Sequence, residues 1–193
     1  MGAEVHGTQE FNANKREFTR FSEEAMATVQ KLLSNYPEGK QKSAIIPILH
    51  VAQAEFGGWL SPETMDYVAS IIKIKPIEVF EVASFYSMFH LKPVGKCVFE
   101  VCQTSSCWLN GAEDIVKYIE KKLGIKTGET TPDGMFTLKV AECLGSCGSA
   151  PMLQCGASYH ENLTYEKVDA ILETYKNEGR LRSYTDLDYK NTL

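Results

Sequence analysis

All six cysteines of this 193-residue chain fall between Cys97 and Cys155, and the stretch before them holds none. Four of the six form two close pairs, Cys102-x4-Cys107 and Cys143-x3-Cys147, the second inside Glu142-Cys143-Leu144-Gly145-Ser146-Cys147-Gly148-Ser149-Ala150-Pro151. The chain is long enough to bury a real core without covalent staples. Residues 1–20 carry Glu4, Glu10, Lys15, Arg16 and Glu17 with no apolar run, so no secretory leader is expected. In a reducing compartment such cysteines point to metal or redox roles rather than structural disulfides.

Two thiolates from each of two loops suit a binuclear iron–sulfur cluster, which takes two sulfurs on each iron. Gly145, Ser146, Gly148 and Ser149, with Ser105 and Ser106 in the first loop, let backbone come close and aim N–H groups at sulfur. A helix beginning near Asn110 would point its positive end at Cys107. Neither pair encloses an acidic residue that would repel an anionic cluster. Glu142 is adjacent and is expected to face solvent or a backbone partner. Spacing alone does not choose the metal. Structural zinc also takes four thiolates, usually with shorter C-x2-C spacings, and a redox disulfide or inert thiols are further readings. No C-x-x-C occurs, which disfavours ordinary dithiol exchange, and the run differs from the tight plant-type ferredoxin spacing.

The rest of the chain divides around this feature. Apolar periodicity predicts helices over about 22–33, 43–56, 61–73 and from 76 onward, a compact helical bundle. Ser61-Pro62-Glu63 is a clear helix start, and Gly57-Gly58 a stop. Beyond Pro93 the period changes. Strands are expected over 97–103, 136–142, 151–155 and 157–161, a helix over 110–123, and a last helix capped by Thr164. The order β-α-β-β-β-α makes this part α/β, and the whole chain α/β in the broader α+β sense. Residues 180–193 read as a polar tail.

Four segments carry a family resemblance: Val101-Cys102-Gln103-Thr104-Ser105-Ser106-Cys107, Gly128-Glu129-Thr130-Thr131-Pro132-Asp133-Gly134, Glu142-Cys143-Leu144-Gly145-Ser146-Cys147 and Tyr159-His160-Glu161-Asn162-Leu163-Thr164. Together with Phe85-Tyr86-Ser87-Met88-Phe89, they make residues 20–178 resemble the thioredoxin-like [2Fe–2S] ferredoxins, in the branch formed by the E subunits of NADH:quinone oxidoreductase (respiratory complex I). Gln154-Cys155-Gly156-Ala157 departs from the asparagine-containing stretch of that family, which touches the surroundings of the site and not its ligands.

The resemblance implies a flexible segment at 1–20, a helical bundle domain at 21–93, a thioredoxin-like [2Fe–2S] domain with a central mixed sheet at 94–180, and a tail at 181–193. It implies Cys102, Cys107, Cys143 and Cys147 as ligands of one [2Fe–2S] cluster. It further implies an enzyme subunit that transfers electrons within an NADH dehydrogenase module. FMN and NAD would be bound by a flavin-bearing, NADH-binding partner subunit. The expected location is cytoplasmic, peripheral to the inner membrane within a larger complex. An equivalent subunit of an NAD-linked hydrogenase or formate dehydrogenase, or a stand-alone [2Fe–2S] ferredoxin, is the alternative.

The remaining candidates read more plainly. Cys97 and Cys155 are expected to be small buried hydrophobes, with a place near the cluster loop as the alternative for Cys155. His6, His50, His90 and His160 are scattered, with none in the cysteine loops as a Rieske-type centre requires. Trp108 is expected either to shield the cluster or to pack in the core, and the aromatic group from Phe85 to Phe89 to fill the bundle, with a partner contact as the alternative. No G-x-G, H-E-x-x-H or G-x-S-x-G occurs, so an electron carrier of this kind needs a protein partner. A net charge of −5 with no basic stripe argues against nucleic acid, and no segment is apolar enough to insert in a membrane.

Overall fold

The computed structural model describes residues 20–178. The expected tail at 181–193, and all but the last residue of the expected segment at 1–20, lie outside them.

Four helices form first. In α1 (Glu23–Ser34), the Ser22 hydroxyl accepts the Ala25 N–H at 3.2 Å, satisfying a donor that the first turn leaves open. A 3-10 turn at Gln41–Ala44 leads into α2 (Ile45–Glu55), where Pro47 sits harmlessly in the first turn. α3 (Pro62–Ile72) starts as its sequence dictates: Ser61 Oγ accepts the Thr64 N–H at 3.1 Å, and Pro62 needs no partner. α4 (Pro76–Phe85) is steadied by Glu78, whose carboxylate accepts the Lys75 N–H at 2.9 Å. Val29, Ile48, Leu49, Leu60, Val68 and Val79 are fully buried between these helices.

The aromatic group does not fill the bundle as a unit. Phe89 is buried, but α4 ends at Phe85, so Phe85 and Tyr86 turn outward; Phe85 is 80% exposed. Their rings meet edge to face at 5.0 Å.

The second core belongs to a four-stranded mixed sheet in the order β2-β1-β3-β4. β1 (Cys97–Cys102) runs parallel to β2 (Phe136–Ala141) and antiparallel to β3 (Leu153–Cys155), which pairs antiparallel with β4 (Ser158–His160). The parallel pair needs a crossover, supplied here by two helices. α5 (Ser105–Leu109) is a further short helix in place of the expected loop, and α6 (Ala112–Leu123) is the helix expected over 110–123. Gly111 divides them with a left-handed φ of 88°. α7 (Tyr165–Glu178) follows β4. Alternation along β1 sends Cys97, Phe99 and Val101 toward α6 and α7, where Phe99 packs on Phe136 and Tyr175 at 5.4 and 5.7 Å between ring centres. Residues between these alternate to the opposite face, where Lys139 of β2 reaches His90 from the helical part at 2.9 Å.

Candidate metal centre

The site follows from the parallel pair. Cys102 ends β1 directly opposite Ala141, the end of β2. Parallel strands finish on the same edge of the sheet, so the chain beyond each leaves from one place. One exit carries Cys102 and then Cys107 inside α5; the other carries Cys143 and Cys147. The Gln103 N–H extends the ladder to the Ala141 carbonyl at 3.1 Å. Ser106 Oγ then donates to the Cys147 carbonyl at 2.8 Å and ties the two loops together.

The second loop curls tightly. Gly145 takes a φ of 86°, a conformation a side chain would resist, while Gly148 does not. The curl brings Cys143 Sγ and Cys147 Sγ to 3.5 Å. Cys102 and Cys107 are each 2% exposed, whereas Cys143 and Cys147 stand open. The site thus has a dry inner pair and an accessible outer pair.

The local field differs at each sulfur. Burial pushes the Cys102 thiol up, but the Thr104 hydroxyl, the Leu144 and Thr104 backbone N–H groups and the Cys107 thiol outweigh it and hold it below its usual range. Burial and the neighbouring Cys102 push Cys107 up to about 11, against the Met152 N–H. The Gly145 N–H, then the Cys147 thiol and the Thr104 hydroxyl, draw Cys143 down. Cys147 is raised, first by its contact with Cys143. Cys102 and Cys147 act on each other's pairs through charge, so the four sulfurs share one electrostatic neighbourhood.

Several residues of the site differ from expectation. Cys107 lies within α5, and the helix expected to start near Asn110 begins at Ala112. Trp108 is 54% exposed and is not core packing. Glu142 is exposed, as expected. Cys97 and Cys155 are fully buried on β1 and β3, and their thiols hydrogen-bond to each other. His50 lies within α2 against the Phe89 ring at 4.9 Å, and the His160 ring meets Tyr175 Oη of α7 at 3.0 Å. The role of Thr104, whose hydroxyl stands 3.3 Å from Cys102 Sγ, is not visible in the spacing, although its place between two cysteines is a hint.

Among the described residues, no three His, Cys, Asp or Glu side chains gather around a single ion. A binuclear cluster does not ask for that, because each iron takes two thiolates. Two thiol pairs, five backbone N–H groups acting on sulfur (Thr104, Leu144, Gly145, Cys147 and Met152) and a half-dry setting fit such a group.

A mixed sheet with helices against it and four thiols at one edge defines an iron–sulfur electron carrier on a thioredoxin-like frame. The chain belongs to the thioredoxin-like [2Fe–2S] ferredoxin family, whose model matches residues 29–176. It is 44% identical over 158 residues to the E subunit of the NADH-quinone oxidoreductase of Rickettsia felis, covering 82% of this chain and 95% of that one. It is 42% identical over 168 residues to its counterpart in Rickettsia typhi, covering 86% and 99%. The mitochondrial NADH dehydrogenase [ubiquinone] flavoprotein 2 of Dictyostelium discoideum is 43% identical over 157 residues, covering 81% of this chain and 64% of that one. In fold, the chain is similar to part of an NAD+-reducing [NiFe]-hydrogenase crystallised in the air-oxidised state. The TM-score there is 0.60 at 18% identity, over 69% of this chain and 23% of that longer one.

Proposed function

We propose that this chain is the electron-transfer subunit of an NADH dehydrogenase module, with one [2Fe–2S] cluster held by Cys102, Cys107, Cys143 and Cys147. The observation that carries the reading is the shared edge of β1 and β2, which delivers one cysteine pair from each strand to the same place. Names of relatives that match nearly end to end support the module.

When bound, the cluster supplies reversible one-electron chemistry. The chain's own part is ligation and environment. Cys102 and Cys107 give buried sulfurs, and burial there excludes water. N–H groups of Thr104, Leu144, Gly145 and Met152 offset negative charge on sulfur. Cys143 and Cys147 give the exposed side of the centre, the side a partner can approach. The partner is a flavin-bearing, NADH-binding subunit, with FMN as the group that exchanges electrons with this chain. Residues 21–93 act as a docking domain and 94–180 as the redox domain. The assembly lies at the cytoplasmic face of the inner membrane. Among the described residues no helix is long and apolar enough to cross a membrane.

The test is anaerobic purification with metal analysis and low-temperature EPR after dithionite. Iron and acid-labile sulfide in equal amounts are expected, with the EPR signal lost on Cys→Ser exchange at each of the four positions. Zinc alone in native material would reject the cluster, since four thiolates also hold structural zinc. The isolated chain is expected to oxidise no NADH, and native purification should recover a flavoprotein with it.

A further inference from the structure

The string Tyr159–Thr164 carries part of the family resemblance, yet none of its residues is among the four ligands. It leaves β4 and touches the outer cysteine loop at four points. Tyr159 Oη donates to the Leu144 carbonyl at 2.7 Å. Ser149 Oγ donates to Glu161 Oε1 at 2.6 Å, and Ser146 Oγ donates to the same oxygen. The Asn162 N–H donates to the Ser149 carbonyl at 2.7 Å. Ser146 and Ser149 flank Cys147 on either side, so Glu161 grips the turn in which that ligand sits.

Glu161 is exposed, and the two hydroxyls lower its pKa, so it is an anion at neutral pH. A serine hydroxyl has one proton. Donated to Glu161, that proton is withheld from sulfur. Released, either hydroxyl is free to reorient within the turn that holds Cys147, and an O–H dipole turned toward the anionic centre favours added negative charge there. The carboxylate's own charge opposes that added charge. Both effects act in one direction.

We propose that Glu161 is a positioning residue for the Cys143–Cys147 loop: it takes the hydroxyl protons of Ser146 and Ser149, fixes the turn, and keeps the reduction potential of the centre low. This rests on the assignment of the four cysteines as ligands of a [2Fe–2S] cluster.

The experiment compares the full chain with Glu161→Gln, with Ser146→Ala/Ser149→Ala, and with all three changes together, each purified without air. Iron and sulfide are counted, and reduction by dithionite is followed by EPR at controlled potential. Glu161→Gln is expected to keep its iron and to raise the reduced-to-oxidised ratio at fixed potential by about threefold to tenfold. In the serine-free background the same change is expected to raise it less, because the neutral amide oxygen of glutamine accepts from the hydroxyls more weakly than a carboxylate does, and that part of the effect is lost with them. A loaded Glu161→Gln protein with the wild-type ratio overturns the proposal, and so does an undiminished effect without the serines. If Glu161→Gln fails to fold, iron release to a chelator from the Ser146→Ala/Ser149→Ala protein decides. Release about fivefold faster than wild type is expected from the lost hydrogen bonds, and an unchanged rate overturns the proposal. Wild-type chain without iron sinks the ligand assignment itself, a failure distinct from a loaded variant that shows no shift.

Discussion

Lys139 Nζ lies 2.9 Å from His90 Nδ1, so a strand next to the cysteine loops is tied to the end of the helical part by an ammonium donating to a neutral imidazole. Around this contact the Leu60 N–H donates to the His90 carbonyl at 2.7 Å, and the His90 N–H donates to Gln53 Oε1 at 2.8 Å. The residue is therefore held from three sides. Glu100, paired with Lys139 across β1 and β2, shares the same strand face.

A pH dependence follows from that ring. Burial, and then the Lys139 charge, lower the His90 pKa to about 4. In the unfolded chain a histidine titrates near 6.5. Above that value neither state binds the proton. As pH falls toward about 4, only the unfolded state takes it up, so stability is lost across this window and levels off below it. The loss is roughly 3 kcal/mol for a shift of this size. Urea unfolding at a series of pH values should show wild type falling relative to His90→Asn, whose amide oxygen still accepts from Lys139. Parallel curves would refute the assignment.

Gly95 marks where the backbone of β1 begins to run against β2. A Cβ there would stand 2.9 Å from the Phe136 carbonyl carbon and 3.0 Å from that of Met135, both main chain and unable to swing aside. The Gly95 N–H donates to Thr137 Oγ1 at 2.6 Å, which holds the close approach. Gly95→Ala should cost roughly 1–3 kcal/mol through forced backbone displacement. An equilibrium unfolding midpoint equal to wild type would show that the strands part more freely than this.

Which features are legible in the sequence follows from how local their causes are. α3 announces itself, because cap, Pro62 and Glu63 are adjacent, and its periodicity runs out near Lys73, although the left-handed conformation of that residue gives no such sign. The cysteine pairs are legible as pairs. Their convergence is a property of parallel β1 and β2, which pairing 39 residues apart in sequence does not reveal beforehand. Ser105–Leu109 is too short for a periodic signal, so a sequence reading leaves it as part of the first cysteine loop. Aromatic content at 85–89 does not say which rings face inward; that depends on α4 stopping at Phe85. Glu161 reaches serines 12 and 15 residues away, a separation no local pattern encodes.

Cys97 and Cys155 pair with each other, not with the loops. Their thiols meet inside the sheet, with Tyr175 beside Cys155. Burial, together with Cys97, drives the Cys155 pKa far up, so it stays a thiol. Cys155→Ala should retain the full iron and sulfide load while losing about 1 kcal/mol of stability, through a small cavity and an unpartnered Cys97. A halved iron content would place Cys155 among the ligands after all.

Removing the metal should expose the difference between the two cysteine pairs. In iron-free protein kept reduced, Cys143 is exposed and its thiol is drawn down first by the Gly145 N–H, so it carries the larger thiolate fraction. Cys107 is 2% exposed and, chiefly through burial, is pushed up to about 11. Thiolate is the species that alkylates, and only where reagent can reach it. Iodoacetamide followed by peptide mapping should therefore label Cys143 first and Cys107 last. Ser106→Ala, which cuts the tie to the Cys147 carbonyl, should narrow the gap by letting the loops separate. Loaded protein should protect all four sulfurs together while leaving the loop order of the iron-free chain unchanged once the metal is stripped. Simultaneous labelling of both pairs in the iron-free chain would mean that the inner pair is not held closed by the fold, and that its burial depends on the metal.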